Sequence, residues 1–251
     1  MIAIMLSAII SSCSKNDDDN NNPSPPPQNN LTLLEPEDNS TGVDPYNILL
    51  EWQPLPGMDE SSITYSVGFI DGDEFESFAS TEDTSYELVI PSHLAQFEKT
   101  YYWTVIASDD NGLEVQSEVY SFTTRLKTIE DDLIGLWLGS FGNDESSEEN
   151  GYGLLFRPNG TVRLYSNNAP FTTASDTLGL PDYFKADGTY SFYGAVVTGT
   201  YHFGETLFYS FEGNMDTDED FILGTWGNGE NVSDGGLFDV EKYEEEGISA
   251  M

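Results

Sequence analysis

Basic side chains are scarce in this sequence. Eight Lys and Arg stand against 45 Asp and Glu, a formal net charge of −37. A nucleic-acid partner needs a basic footprint on its phosphates, so nucleic acid is excluded. An electrostatic grip on anionic lipid is disfavoured for the same reason. Such an acidic excess keeps a chain soluble and self-repelling. Cysteine is scarcer still: Cys13 is the single one, so an internal disulfide and a cysteine metal site are both excluded. The two histidines, His93 and His202, fall in different halves of the chain and in no H-x-x-x-H spacing. A Gly-x-Ser-x-Gly elbow and a phosphate-cradling glycine loop are both missing. With no catalytic constellation to point to, the sequence is read as that of a non-enzyme.

Aromatic residues and glycine are abundant. The chain of 251 residues holds 14 Tyr, 15 Phe, 4 Trp and 23 Gly, which favours β-structure stabilised by apolar burial. The length suits one large or two small domains.

The first residues, Met1 to Ile10, are apolar but too few for a bilayer span, which takes about 20, and they match the apolar core of a secretory signal. Ile10-Ser11-Ser12-Cys13 resembles the lipobox of bacterial lipoproteins, which implies a signal peptide over 1–12 and lipidation of Cys13. Several acyl chains, at roughly 0.8 kcal/mol per buried methylene, hold a protein firmly on a membrane. No Lys or Arg precedes the apolar run, a departure from the usual signal. Ser14-Lys15-Asn16-Asp17-Asp18-Asp19 resembles the export tag of Bacteroidota surface lipoproteins, which implies the outer face of the outer membrane. Residues 13–30, acidic and then rich in Asn and Pro, carry no core-forming side chain and are expected to form a spacer.

From Leu31 to Thr124 apolar residues alternate in short runs divided by turn signals, the pattern of a sandwich. Strands are predicted over 31–34, 48–52, 63–69, 75–78, 86–90, 101–107 and 115–124. Leu34-x-Pro36, Trp52, Tyr65-x-Val67 and Thr100-Tyr101-Tyr102-Trp103-Thr104-Val105-x-Ala107 together resemble a fibronectin type III domain over 31–125. That resemblance implies an immunoglobulin-like sandwich serving as a spacer, Trp52 at the core centre and a corner hydrogen bond from Tyr101. No Arg-Gly-Asp tripeptide is present.

Residues 126–132 form a charged connector, at most one helical turn. Eight further strands are predicted in meander order over 133–141, 152–156, 161–165, 188–193, 196–203, 206–212, 221–226 and 236–243, so that 133–251 reads as a small antiparallel β-barrel. Asn159-Gly160 marks a two-residue hairpin turn. Gly135-Leu136-Trp137 and Gly224-Thr225-Trp226 open two similar segments, and this motif resembles lipocalin-like and avidin-like barrels. The resemblance implies a Trp closing one end, with Trp137 and Trp226 as core plugs or, alternatively, as ligand-lining residues.

The stretch 166–187 is long for a loop inside a compact barrel, and such loops are often lids or binding surfaces. Phe171, Tyr183 and Phe184 are its candidate ligand-binding residues, capping the barrel mouth, stacking on sugar, or simply pinning the loop. Asp176-Thr177-Leu178 matches a loose O-glycosylation triplet of exported Bacteroidota proteins. Asp216, Asp218 and Asp220 start like a calcium loop. Phe221 and Gly227 stand where such a loop needs Gly and Glu, which leaves weak calcium binding as the sole cofactor candidate.

Taken together, the residues describe an all-β, lipid-anchored, outward-facing outer-membrane protein whose barrel is carried on a spacer domain. A glycan or another surface protein is the expected ligand. The alternatives are a small apolar molecule inside the barrel, or an accessory role in an outer-membrane complex.

Overall fold

A computed structural model describes residues 30–55, 63–91, 94–143 and 150–243. Cys13, the stretch 13–29 and His93 lie outside the described residues. The strands β1 (Leu33–Glu35), β3 (Asn47–Trp52) and β6 (Ser85–Val89) form one sheet in the order β1-β3-β6. The facing sheet runs β2 (Ser40–Val43), β9 (Tyr120–Thr124), β7 (Thr100–Asp109), β4 (Ile63–Asp71), β5 (Glu74–Thr81), with β8 (Glu114–Gln116) beside β7. This is the immunoglobulin-like sandwich of the fibronectin type III kind. Alternation builds it: Ile48, Leu50 and Trp52 point inward from β3 and meet Tyr65, Val67, Trp103, Val105 and Phe122 from the other sheet. Trp52 is fully buried and lies 5.4 Å from the Tyr65 ring. Tyr101 stacks on Phe122 at 5.4 Å. The corner bond expected of its hydroxyl is not among those of the described residues, and 92–93 in the preceding loop fall outside them.

The run 115–124, expected as one strand, is two. Between β8 and β9 the Ser117 hydroxyl accepts the Val105 N–H at 3.1 Å and pairs with the Thr104 hydroxyl at 2.9 Å. A buried serine that satisfies the neighbouring strand in this way breaks the ladder.

After a five-residue helix α1 (Ile129–Leu133), eight strands follow: β10 (Gly135–Phe141), β11 (Asn150–Phe156), β12 (Thr161–Asn167), β13 (Lys185–Tyr193), β14 (Val196–Phe203), β15 (Leu207–Asp216), β16 (Phe221–Asn228) and β17 (Gly236–Lys242). Each pairs antiparallel with the next, and β10 pairs with β17, so the sheet closes into a barrel. Eight strands leave an interior that side chains fill or that holds one small ligand. Inward positions are apolar: Trp137, Leu154, Phe156, Val162, Val197, Phe211, Ile222 and Phe238 are among the buried ones. Outward positions include the bidentate pair Arg163–Asp187 (2.7 Å on each arm) and the exposed Glu212 and Asn214. An apolar interior with a polar outer wall is the reverse of a membrane-spanning barrel. Among the described residues no helix is long and apolar enough to cross a membrane.

Two local features sharpen the barrel. The Arg157 N–H donates to the Thr161 carbonyl and the Gly160 N–H to the Arg157 carbonyl, so Asn159-Gly160 belongs to a three-residue loop rather than the expected two-residue turn. Gly160 takes φ 75°, and the Asn159 carboxamide accepts the Thr161 N–H. At Gly188 the strands coil so tightly that a Cβ would lie 1.7 Å from the Thr200 carbonyl oxygen.

The sandwich and the barrel share a core at one end of the barrel. Tyr46, with Ala95 and Phe97 beside it, packs in the same cluster as Leu133, Ile134 and Trp137. Asp131, at the third position of α1, is the polar centre of this junction. Its carboxylate accepts the Tyr46 hydroxyl (3.1 Å), the Arg125 guanidinium (2.7 and 2.8 Å) and the Thr128 N–H (2.7 Å). Burial works to raise the Asp131 pKa, and these donors outweigh it and hold the carboxyl at about 2. In the sandwich, Leu33 pairs with Trp52 at the end of β3 away from Tyr46, so the chain enters the sandwich at the end remote from the barrel.

Candidate functional site

The barrel's two ends differ. At the end docked on the sandwich, Leu133 and Trp137 fill the opening, and the connections are short: 157–160, 194–195 and 217–220. At the other end, about 20 Å along β10 at roughly 3.3 Å per residue, the described connections include 168–184 and 229–235. Here a cavity of 140 Å³ opens between Phe141, Tyr152, Leu164, Ser166, Tyr201, Phe203, Tyr209 and Trp226.

The strand pattern explains this lining. Phe141 ends β10, Ser166 sits near the end of β12, Tyr201 and Phe203 end β14, Tyr209 lies near the start of β15, and Trp226 lies late in β16. All are inward positions at the same rim. The rings hold one another edge to face: Phe141 and Trp226 at 5.5 Å and 89°, and Phe203 and Tyr209 at 6.0 Å and 83°. Tyr201 and Tyr209 stack at 5.7 Å and 22°. The Trp226 indole N–H donates to the Gly142 carbonyl at 3.1 Å, which fixes the ring on the wall. Deeper, the Tyr152 hydroxyl donates to that of Tyr201 at 3.4 Å. Burial raises the pKa of both phenols, so both remain neutral. Of the lining residues none carries a charge. An apolar cavity of about 150 Å³ accepts a benzene-sized molecule, so this one has room for a single ring.

The residues singled out from the sequence fall in different places. Trp226 lines the cavity. Trp137, in the matching motif, is at the opposite end, fully buried, its N–H on the Leu133 carbonyl at 2.7 Å and its ring under the Lys242 ammonium at 5.6 Å. The motif occupies the first residues of β10 but the fourth to sixth of β16, and both strands run towards the mouth. Equal motifs therefore end at unequal heights.

Phe171 is buried against the outer wall rather than over the mouth. Its backbone N–H donates to the Gly139 carbonyl (3.1 Å), and its ring covers Gly151 and Gly153, whose Cβ positions would lie 3.1 and 3.4 Å from it. Tyr183 is exposed, and its ring lies 4.7 Å from that of Phe184 at 49°. Two rings so tilted present no common flat face. The Thr177 hydroxyl is buried and donates to the Ala174 carbonyl at 2.8 Å, so the folded loop withholds the acceptor of the glycosylation triplet. Asp216 caps the β15–β16 turn, its carboxylate accepting the N–H groups of Asp218 (2.9 Å) and Glu219 (3.2 Å), while Asp220 takes φ 52°. Among the described residues no three His, Cys, Asp or Glu side chains are grouped to hold a metal. His202 lies on the outer wall and stacks on Phe208 at 4.8 Å.

The cavity's tyrosines and phenylalanines were not singled out from the sequence. The available signal was the pairing of Tyr201-x-Phe203 with Tyr209-x-Phe211 across the Gly204 turn, which brings four inward aromatics together at and just below one rim.

No family model matches the chain, and no curated protein matches it. Solved structures similar to parts of it include three with fibronectin type III content. The fibronectin type III domain of human fibronectin type III domain containing protein 3 is 23% identical, with a TM-score of 0.31, over 41% of this chain and 91% of that one. The fibronectin(III)-like modules of Clostridium thermocellum CbhA are 9% identical, with a TM-score of 0.29, over 72% and 85%. The twitchin kinase region of C. elegans is 13% identical, with a TM-score of 0.25, over 75% of this chain and 32% of that one. None of these likenesses bears on function.

Proposed function

We propose that this protein is a lipid-anchored binding protein that holds the open mouth of its barrel away from the membrane. One observation carries the reading: the parts follow one another in line. The chain enters the sandwich at the end remote from the barrel, the sandwich docks on the barrel end that Leu133 and Trp137 plug, and the aromatic cavity opens at the other. Acylated Cys13, the spacer 13–30 and the sandwich then act as a stalk, with the mouth at its tip. The acidic surface favours display in water over contact with anionic lipid. The ligand presents one ring-sized face to the aromatic cup. A sugar ring of a glycan, an aromatic side chain of a surface protein and a small free molecule all satisfy that requirement. The Gly-x-Trp resemblance to lipocalin-like and avidin-like barrels supports ligand capture by the barrel.

Two measurements test this. Full-length protein expressed in a bacterial lipoprotein-processing host takes up labelled palmitate, and Cys13→Ala leaves the membrane fraction. Absence of label removes the anchor. A glycan and protein array probed with the full chain gives hits that Trp226→Ala and Tyr209→Ala abolish while Tyr183→Ala keeps them. Hits that depend on Tyr183 and not on Trp226 move the site to the loop.

A further inference from the structure

Four hydroxyl-bearing residues line the cavity, Tyr152, Ser166, Tyr201 and Tyr209, and the two most buried of them, Tyr152 and Tyr201, share one hydrogen bond. Tyr152 donates to Tyr201 at 3.4 Å. Tyr201 is 3% exposed and lines the cavity, and among the described residues nothing accepts its own proton. Its neighbours there are the rings of Phe203, Tyr209 and Phe211, within 6.2 Å of its centroid. A donor with no protein acceptor is left unpaired when a ligand displaces water from the cup. Any molecule that enters the cup and offers an acceptor pairs it. A hydrocarbon of the same shape leaves it unpaired.

We propose that the mouth selects an uncharged, ring-sized molecule carrying a hydrogen-bond acceptor, and that Tyr201 is the residue setting that preference by donating its hydroxyl proton to it. This rests on the mouth being the ligand site, and it adds what the site chooses. Anions are disfavoured twice, since no lining residue carries a compensating charge and the chain as a whole is at −37. An aromatic cup in an acidic protein also suits a quaternary ammonium ion. No carboxylate lines the cavity to balance such a cation.

The test uses the full chain and three probes of matched size: acetophenone, ethylbenzene and phenyltrimethylammonium. Trp226 sits on the cavity wall, and its emission reports binding. The acetophenone-to-ethylbenzene affinity ratio falls about five- to tenfold in Tyr201→Phe, the worth of one net hydrogen bond, and stays unchanged in Tyr152→Phe. An unchanged ratio in Tyr201→Phe overturns the proposal and leaves the mouth as an apolar site. Phenyltrimethylammonium binding more tightly than acetophenone overturns it as well. Binding of none of the three removes the mouth reading itself. Should Tyr201→Phe fail to fold, the nitrile stretch of benzonitrile bound to the native chain decides. A hydrogen-bonded shift that persists in Tyr209→Phe and in Ser166→Ala supports donation from Tyr201, and a shift lost in either, or a stretch at the hydrocarbon-solvent position, overturns it.

Discussion

The Tyr46 hydroxyl donates to the Asp131 carboxylate across 3.1 Å, joining residues 85 positions apart and tying the sandwich to the barrel. Arg125 clasps the same carboxylate with both arms and lies over the Tyr46 and Phe97 rings at 5.7 and 5.2 Å. Tyr46→Phe removes one hydrogen bond and lowers stability by about 1 kcal/mol. Asp131→Ala takes the acceptor from the Tyr46 hydroxyl, both Arg125 arms and the N–H and hydroxyl of Thr128, and lowers it by about 3 kcal/mol. Calorimetry reads both: the native chain melts in one transition, and Asp131→Ala separates it into two, one for each domain. A single transition in that variant would mean that the apolar contact alone couples them.

The same carboxylate makes the junction sensitive to acid. Asp131 is held at about 2 against an ordinary 3.8, so its contribution is complete above pH 3.8 and is lost as the pH falls towards 2. The amount is about 2 kcal/mol, from the linkage between pKa and stability. Protonating the many exposed carboxylates acts the other way by relieving repulsion, so the comparison is with Asp131→Asn. The stability gap between native protein and that variant narrows between pH 4 and 2 in urea titrations. A gap that stays constant over this window refutes the assignment.

Close strand contacts predict unequal costs for two glycines. A methyl at Gly188 meets the Thr200 carbonyl at 1.7 Å, which is backbone and has no room to yield. A methyl at Gly199 meets the far edge of the Phe211 ring at 2.4 Å and only grazes backbone, the Thr189 carbonyl oxygen at 2.9 Å. Gly188→Ala is therefore the more destabilising, by about 3 kcal/mol or more, and Gly199→Ala costs about 1–2 kcal/mol as Phe211 shifts. Denaturant midpoints give the order, and the reverse order would contradict the described coiling.

Trp137 and Trp226 separate structure from binding. Trp137→Phe empties part of the plugged end and breaks the bond to Leu133, at about 2–3 kcal/mol. Trp226→Phe keeps an apolar wall, costs about 1 kcal/mol, and removes the emission change caused by ligand. Acrylamide quenches Trp226, which is half-buried, ahead of Trp137.

Much of the fold is legible because both domains alternate inward and outward residues with period two, and all eight barrel strands are found, with limits off by up to four residues, as where β15 runs on from 212 to Asp216. The expectations fail where alternation carries no information. Ser117 looks like any strand residue, yet its hydroxyl serves the neighbouring strand and ends the ladder. Phe171 looks like a ligand-facing aromatic, yet two glycines leave a hollow on the outer wall that it fills. Trp137 and Trp226 share a motif but not a height, since height depends on where each strand begins. The cavity tyrosines were hidden for a related reason: an aromatic facing inward at the rim and one in the packed middle have the same local sequence pattern.

Both chain ends of the barrel, α1 before β10 and the last residue of β17, lie at the rim that meets the sandwich. Among the described residues the distal rim is thus made only of links between neighbouring strands. Such links can be lengthened, shortened or exchanged without reopening the seam where first and last strands meet. A lineage, or a laboratory library, can therefore diversify what the tip captures while the frame below keeps folding in the same way.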